Sequence, residues 1–373
     1  MLNFYKPQYD PKALEMLEEV LKSGWITTGP KTKEFEQKLA EYCGNKKTLC
    51  VSAATTGMEL ILRWFGVGEG DEVILPAYTY CATANVIIHC GAKPVFVDVG
   101  KDFNIKAEAI SDVITDSTKV IIPVDFSGYP CDYDVINNLV REEEIVAKFN
   151  ASSEEQRKLG RILVLSDAAH SIGGVYKGNK TGNLTDISVF SFHAVKNITT
   201  GEGGAISLNL DQPFDNSEVY KELNIKTLHG QTKDALAKNS MGDWRYDIID
   251  VGYKCNMTDI QACLGLVALE KYDYDSLPRR KEIFDFYSDA LSTYNWAELP
   301  EYESETKTSS YHIYPLRIKG CSEIERDRII QEIAKKEIAL NVHFQPVPML
   351  TYYKQMGYNV NNFPTALDNY SRE

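Results

Sequence analysis

Apolar residues in the first two thirds of the chain fall in short, β-branched, nearly continuous runs at 48–51, 72–75, 94–98, 119–124, 162–165, 187–190 and 204–208. Runs of this length without a polar face suit strands covered on both sides. Helix-length segments separate several of them, including 55–65 and 132–141. The alternation predicts an α/β fold with a mainly parallel, seven-stranded central sheet flanked by helices. After Asn209 the pattern changes. The stretch 259–272 has apolar residues at helical spacing, and two more helical patterns, 278–293 and 322–337, bracket a strand-like 311–318. We therefore expect a large α/β domain over 1–245 and a smaller α+β domain over 246–373. The charged stretch 141–160 reads as a solvated helical extension, and polar 233–246 as a mobile connection.

Composition narrows the function. A chain of 373 residues with 43% hydrophobic and 25% charged residues is an ordinary globular protein. Its net charge of −13, with no concentrated basic patch, argues against nucleic acid or an anionic membrane as partner. The first residues lack a basic segment followed by an apolar run, and no apolar stretch approaches the ~20 residues that span a bilayer. The eight cysteines are scattered without a C-x-x-C pair, which suits reduced thiols and a cytoplasmic protein.

Three segments could carry chemistry. The turn Ser52-Ala53-Ala54-Thr55-Thr56-Gly57 leaves a strand and opens a helix, where small residues and free N–H groups favour an anion; such caps also occur with nothing bound. Asp167, in Ser166-Asp167-Ala168-Ala169-His170, follows the strand at 162–165, where α/β folds place ligands; it also reads as a helix cap. A metal site from Asp167 and His170 would need more ligands than this segment offers, so no metal is expected. Lys196 lies past a buried strand and before a Gly-rich turn, where a solvated lysine is out of place. A lysine so held can become a Schiff-base nucleophile. An anion-binding helix start, a strand-end Asp and an interior Lys are together the parts that hold pyridoxal phosphate, with the Asp on the pyridine nitrogen.

The ordered segments GDEVILPAYTYCATANVI, GAKPVFVDV, DAAHSIGG, SFHAVKNITTGEGGAI and GYKCNMTDIQAC closely resemble the DegT family of sugar-nucleotide aminotransferases, of the fold-type-I class of pyridoxal phosphate enzymes. The resemblance runs from about Ser23 to Tyr353. It implies that Lys196 forms the internal aldimine and that Asp167 contacts the pyridine nitrogen. His170 would lie near the cofactor's ring oxygen, and Tyr80 would stack on the ring. Ala54, Thr55 and Ser191 would hold the phosphate, joined by Asn256 from the neighbouring subunit of a homodimer with shared sites. Thr28 and His343 would face the substrate. The implied reaction moves the amino group of glutamate onto a nucleotide-linked keto sugar, expected to be a 4-keto-6-deoxyhexose, for polysaccharide or glycan biosynthesis. This sequence departs from the family at Ala53-Ala54-Thr55, where Ser-Gly-Thr is usual, and at Asp125 and Pro348, where His is common. It also ends short of the usual C-terminal segment.

Three other readings compete. A non-catalytic regulator on the same scaffold could keep the fold and lose the lysine, and retention of Lys196 argues against it. A pyridoxamine-dependent sugar dehydratase of the same fold carries His at the position of Lys196. An NAD-dependent sugar dehydratase or epimerase needs a Gly-rich turn from strand into helix, whereas Gly66-Val67-Gly68-Glu69-Gly70 follows a helix and precedes a strand.

Overall fold

The computed structural model describes residues 1–7, 10–233 and 245–373. Most of the expected connection at 233–246 lies outside them. The central sheet has seven strands: β1 (Lys47–Val51), β2 (Glu72–Pro76), β3 (Lys93–Val97), β4 (Thr118–Ile121), β5 (Leu163–Asp167), β8 (Ile187–Ser191) and β9 (Gly204–Leu208). Between β5 and β8 the chain makes a small hairpin, β6 (Val175–Tyr176) and β7 (Asn179–Lys180). The sheet order is β1-β9-β8-β5-β4-β2-β3. Only β9 runs against its neighbours; the pairs β8–β5, β5–β4, β4–β2 and β2–β3 are parallel. The apolar runs are strands because both faces are covered: β4 and β5 are buried throughout.

Two helices, α1 (Pro11–Ser23) and α2 (Pro30–Cys43), precede the sheet. Parallel strands bring their C-terminal ends to one edge, and there the chain turns into α3 (Ala54–Trp64) after β1 and into the helix Cys81–His89 soon after β2. Gly57 lets α3 lie close on the sheet, since a Cβ there would sit 3.1 Å from Val189 and 3.2 Å from Ile206. Arg161 and Asp186 clamp β5 to β8 through two hydrogen bonds of 2.7 Å, and Asp186 also accepts from the Val164 amide at 3.0 Å. The Gly66–Gly70 cluster follows α3 and leads into β2, and Gly66 packs on Ser153, so it is not a dinucleotide turn.

The packing changes several expectations. The stretch 141–160 forms two short helices, Glu143–Lys148 and Glu154–Leu159, and is not merely solvated. Gln156 is fully buried and donates to the Phe65 carbonyl at 2.9 Å, docking the second helix on the end of α3. Of the strand-like 311–318, only Arg317–Ile318 pairs as a strand. The amides of Ser310 and His312 instead bond the carbonyls of Gly128 and Ser127, at 3.0 and 3.1 Å.

The helix Asp259–Glu270 packs on the helices Pro11–Ser23 and Pro30–Cys43, where Phe35, Leu39, Phe192, Met257 and Leu266 form one apolar cluster. Asp259 joins these parts. The helix Pro30–Cys43 starts at Gly29, which has no capping side chain. The buried Asp259 carboxylate supplies the cap, accepting from the amides of Gly29, Lys31 and Thr32 at 2.8, 3.0 and 2.9 Å and from the Thr32 hydroxyl at 2.7 Å. Asp259→Ala strands those donors, so stability should fall by about 2–4 kcal/mol. Denaturant unfolding checks this; a loss under about 0.5 kcal/mol, ordinary for a surface site, would contradict it.

Candidate active site

The first part of the site is the start of α3. Ala53 is extended (φ −164°), the helix begins at Ala54, and no side chain caps it. Its leading amides, including those of Ala54 and Thr55, therefore face outward as donors at the positive end of the helix dipole. β9 passes close to this turn. A Cβ on Gly204 would lie 2.6 Å from the Ala54 nitrogen, so only glycine fits. Gly204 pairs with Ser191, which brings the Ser191 hydroxyl to the same edge. The missing Ser-Gly-Thr hydroxyl thus leaves the backbone donors in place.

The second part is the end of β5. Asp167 is buried, its Oδ2 accepting from the Thr83 hydroxyl at 2.8 Å and its Oδ1 from the Ala169 amide at 3.2 Å. The chain then runs through turns and not a helix, so Asp167 is no helix cap. Burial raises its pKa, while Thr83, Ala169 and the charge of Lys196 pull it back. His170 is also buried, and its Nδ1 has no hydrogen-bond partner. Burial holds its pKa well below the usual value, with Lys196 and His343 acting the same way, so the ring is neutral at physiological pH.

The third part is Lys196, in the turn between β8 and β9. Burial brings its pKa down from 10.5 to about 8, and the charge of Asp167 opposes the fall. The two residues therefore influence each other by charge across the site. His343 feels both burial and Lys196, which bring it to about 4. Its ring stacks on Phe4, with centroids 5.2 Å apart.

Lys196 is thus within electrostatic reach of Asp167, His170 and His343. Tyr80 stands at the rim, 59% exposed, its ring 5.6 Å from that of Phe344. Thr28 and Asn256 lie together beside the end of β1: the Asn256 amide donates to the Thr28 hydroxyl at 2.6 Å. Next to them the Ser52 amide, at the end of β1, donates to the Cys255 carbonyl at 2.7 Å. Asp125, at the family's His position, is buried and occupied, accepting from the Tyr133 hydroxyl, the Cys131 amide and the Ser171 hydroxyl at 2.6, 2.9 and 2.7 Å. Pro348 lies in a 3-10 turn, Val347–Met349.

Four participants escaped the sequence reading. Thr83 orients Asp167. The Asn197 Oδ1 accepts from His312 Nδ1 at 2.8 Å, and His312 lies against His170 with ring centroids 4.4 Å apart. Tyr5 donates to the Lys196 carbonyl at 3.4 Å. Asn197 and Thr83 lie inside the quoted segments SFHAVKNITTGEGGAI and GDEVILPAYTYCATANVI, within reach of a motif-based reading, whereas Tyr5 and His312 lie outside them.

The chain is similar to known aminotransferases. The family model for the DegT/DnrJ/EryC1/StrS aminotransferases fits residues 7–373. Spr1654 of Streptococcus pneumoniae, named as a sugar aminotransferase and solved in PLP and PMP forms, superposes with a TM-score of 0.95 for its PMP form. That form is 46% identical and covers 100% of this chain and 92% of its own. PseC of Helicobacter pylori, an aminotransferase of pseudoaminic acid biosynthesis, superposes at 0.87 with 26% identity, covering 100% and 92%. The spore coat polysaccharide biosynthesis protein SpsC of Bacillus subtilis is 34% identical over 100% of this chain and 90% of its own. The chain belongs to the DegT/DnrJ/EryC1/StrS aminotransferase family.

Proposed function

We propose that this aminotransferase moves the amino group of glutamate onto a nucleotide-linked keto sugar, a 4-keto-6-deoxyhexose, in polysaccharide or glycan biosynthesis in the cytoplasm. The observation that carries the reading is the turn lysine Lys196 within electrostatic reach of Asp167, a buried carboxylate at the end of a parallel strand, beside an uncapped helix start. The names of Spr1654, PseC and SpsC support a sugar acceptor. Retention of Lys196 favours amino transfer over the dehydratase reading.

The family's cofactor is pyridoxal phosphate, and the residues present fit it. The uncapped start of α3 and Ser191 would hold the phosphate, and Gly204 leaves room beside them. The unpartnered Nδ1 of His170 would meet the ring oxygen, and Tyr80 would cover the ring. Asp167 would hold a proton at the ring nitrogen, with Thr83 and the Ala169 amide fixing its orientation. When bound, the cofactor supplies a carbonyl for the incoming amine and a ring that stabilises negative charge on the reacting carbon. Lys196, neutral in an appreciable fraction near pH 7, takes the proton from the donor carbon and returns it one atom away. His343 would bind acceptor hydroxyls as a neutral ring, and Thr28 would contact the substrate.

The active unit we propose is a homodimer in which Asn256 completes the phosphate site of the neighbour. The family resemblance, which implies that this Asn crosses to the neighbouring subunit, supports this reading.

The reaction is tested by supplying glutamate and a panel of UDP- and dTDP-linked keto sugars, with products identified by mass and NMR. An aminated 4-keto-6-deoxyhexose is expected; turnover of non-sugar ketones alone would contradict the reading. The lysine makes a pH prediction. Capture of added pyridoxal phosphate by the apoprotein needs the neutral amine, so its rate should rise through about pH 8. Asp167→Asn removes the charge that holds this pKa up, so the midpoint should move down. A midpoint near the ordinary 10.5, or an upward move in the variant, would contradict the assignment. The shared site predicts complementation. Lys196→Ala should lose ~10²-fold or more of the activity. Mixed with an inactive Asn256→Ala, it should regain part, because one site of each heterodimer carries neither defect. No recovery despite demonstrated subunit exchange would contradict sharing.

A further inference from the structure

Arg280, in the helix Leu277–Ser292, is a half-buried cation that meets no carboxylate among the described residues. The buried arginines Arg161, Arg317 and Arg326 each pair with one: Asp186, Glu298 and Asp327. Arg280 is held only through one nitrogen, Nη1, which donates to the carbonyls of Tyr311 and His312 at 3.3 Å each. A guanidinium carries five N–H donors in a planar fork suited to carboxylates, so two nitrogens remain to receive an anion. Burial works against its charge, and a charge kept without a partner is costly to stability.

Its place links it to the reacting lysine. His312, whose carbonyl Arg280 holds, is bonded through its ring to Asn197, the residue after Lys196. Tyr5, which lies within reach of the Arg280 charge, donates its hydroxyl to the Lys196 carbonyl. The Lys196 amine itself is shifted by burial and by Asp167. Arg280 thus stands beside the turn that carries that amine. An α-carboxylate is one bond from the carbon that reacts, whereas a side-chain carboxylate lies several bonds farther on.

We propose that Arg280, with Tyr5 beside it, receives the side-chain carboxylate of the amino donor and thereby sets a preference for a dicarboxylic amino acid. This rests on the reading of the protein as a glutamate-dependent aminotransferase. It adds no covalent step: the donor's amino group still leaves through Lys196 and the cofactor, and Arg280 contributes binding alone.

The donor half-reaction tests it without any sugar. Holoenzyme is mixed with glutamate or with alanine, and loss of the visible absorption of bound pyridoxal is followed against donor concentration. In Arg280→Met the glutamate concentration for half-maximal rate should rise ~10–100-fold, the scale of losing a charged hydrogen-bond partner. Its limiting rate should change less, and the alanine curve should stay within about twofold, which also shows that fold and cofactor are intact. Arg280→Lys should recover part of the glutamate response. An unchanged glutamate curve in Arg280→Met, or equal weakening with both donors, would overturn the inference. Wild-type protein that fails to respond to glutamate would instead overturn the donor reading on which it rests.

Discussion

Removing one amine from water governs what the rest of this structure has to do. A lysine in solvent is an ammonium at neutral pH and can neither attack a carbonyl nor take a proton from carbon. Burial disfavours the charge and brings Lys196 to about 8, while Asp167 stops the fall from going further. The balance depends on low dielectric around both groups, because a carboxylate's pull weakens steeply in water. It therefore depends on the side chains that close the site: Phe344, the neutral rings of His170 and His312, and Phe4 over His343.

The sheet makes this environment reproducible. β5 delivers Asp167 and β8 delivers Ser191 at one edge, and the Arg161–Asp186 clamp holds those two strands in register. β9, running the other way, returns the chain from Lys196 past the helix start at the one residue without a Cβ that can pass there. Behind Asp167, the buried Asp125 collects Tyr133, Cys131 and Ser171, tying the end of β4 to the turn that carries His170. The polar groups at this edge are thus fixed before any ligand arrives, which is the condition for electrostatic help in a transition state.

Much of this was legible in the sequence, for definite reasons. The seven strands could be read because strands covered on both faces need continuous apolar runs. Lys196 stood out because a buried strand and a Gly-rich turn leave it nowhere to be solvated. The reversal of β9 was not legible, since residues 204–208 have the same apolar pattern in either direction. Nor was the strand-like 311–318, whose amides are used by the turn at Ser127 and Gly128 and not by a sheet. Gln156 looked like part of a charged surface helix, and only the position of Phe65 reveals it as a buried dock. Tyr5, Thr83 and His312 reach the site from distant parts of the chain, and no local spacing connects them to Lys196. Asp259 shows the same limit: it reads as the first residue of its own helix, yet it caps a helix 230 positions earlier at Gly29.

The central claim is that Lys196, and no other lysine, bonds the cofactor. Holoenzyme can be reduced with borohydride, which makes that bond permanent, then digested and mapped by mass spectrometry. The account predicts a pyridoxyl group on the peptide containing Ser191-Phe192-His193-Ala194-Val195-Lys196, attached to Lys196 at close to one per chain. Attachment at a different lysine, or none at all in protein with full visible absorption, would contradict it.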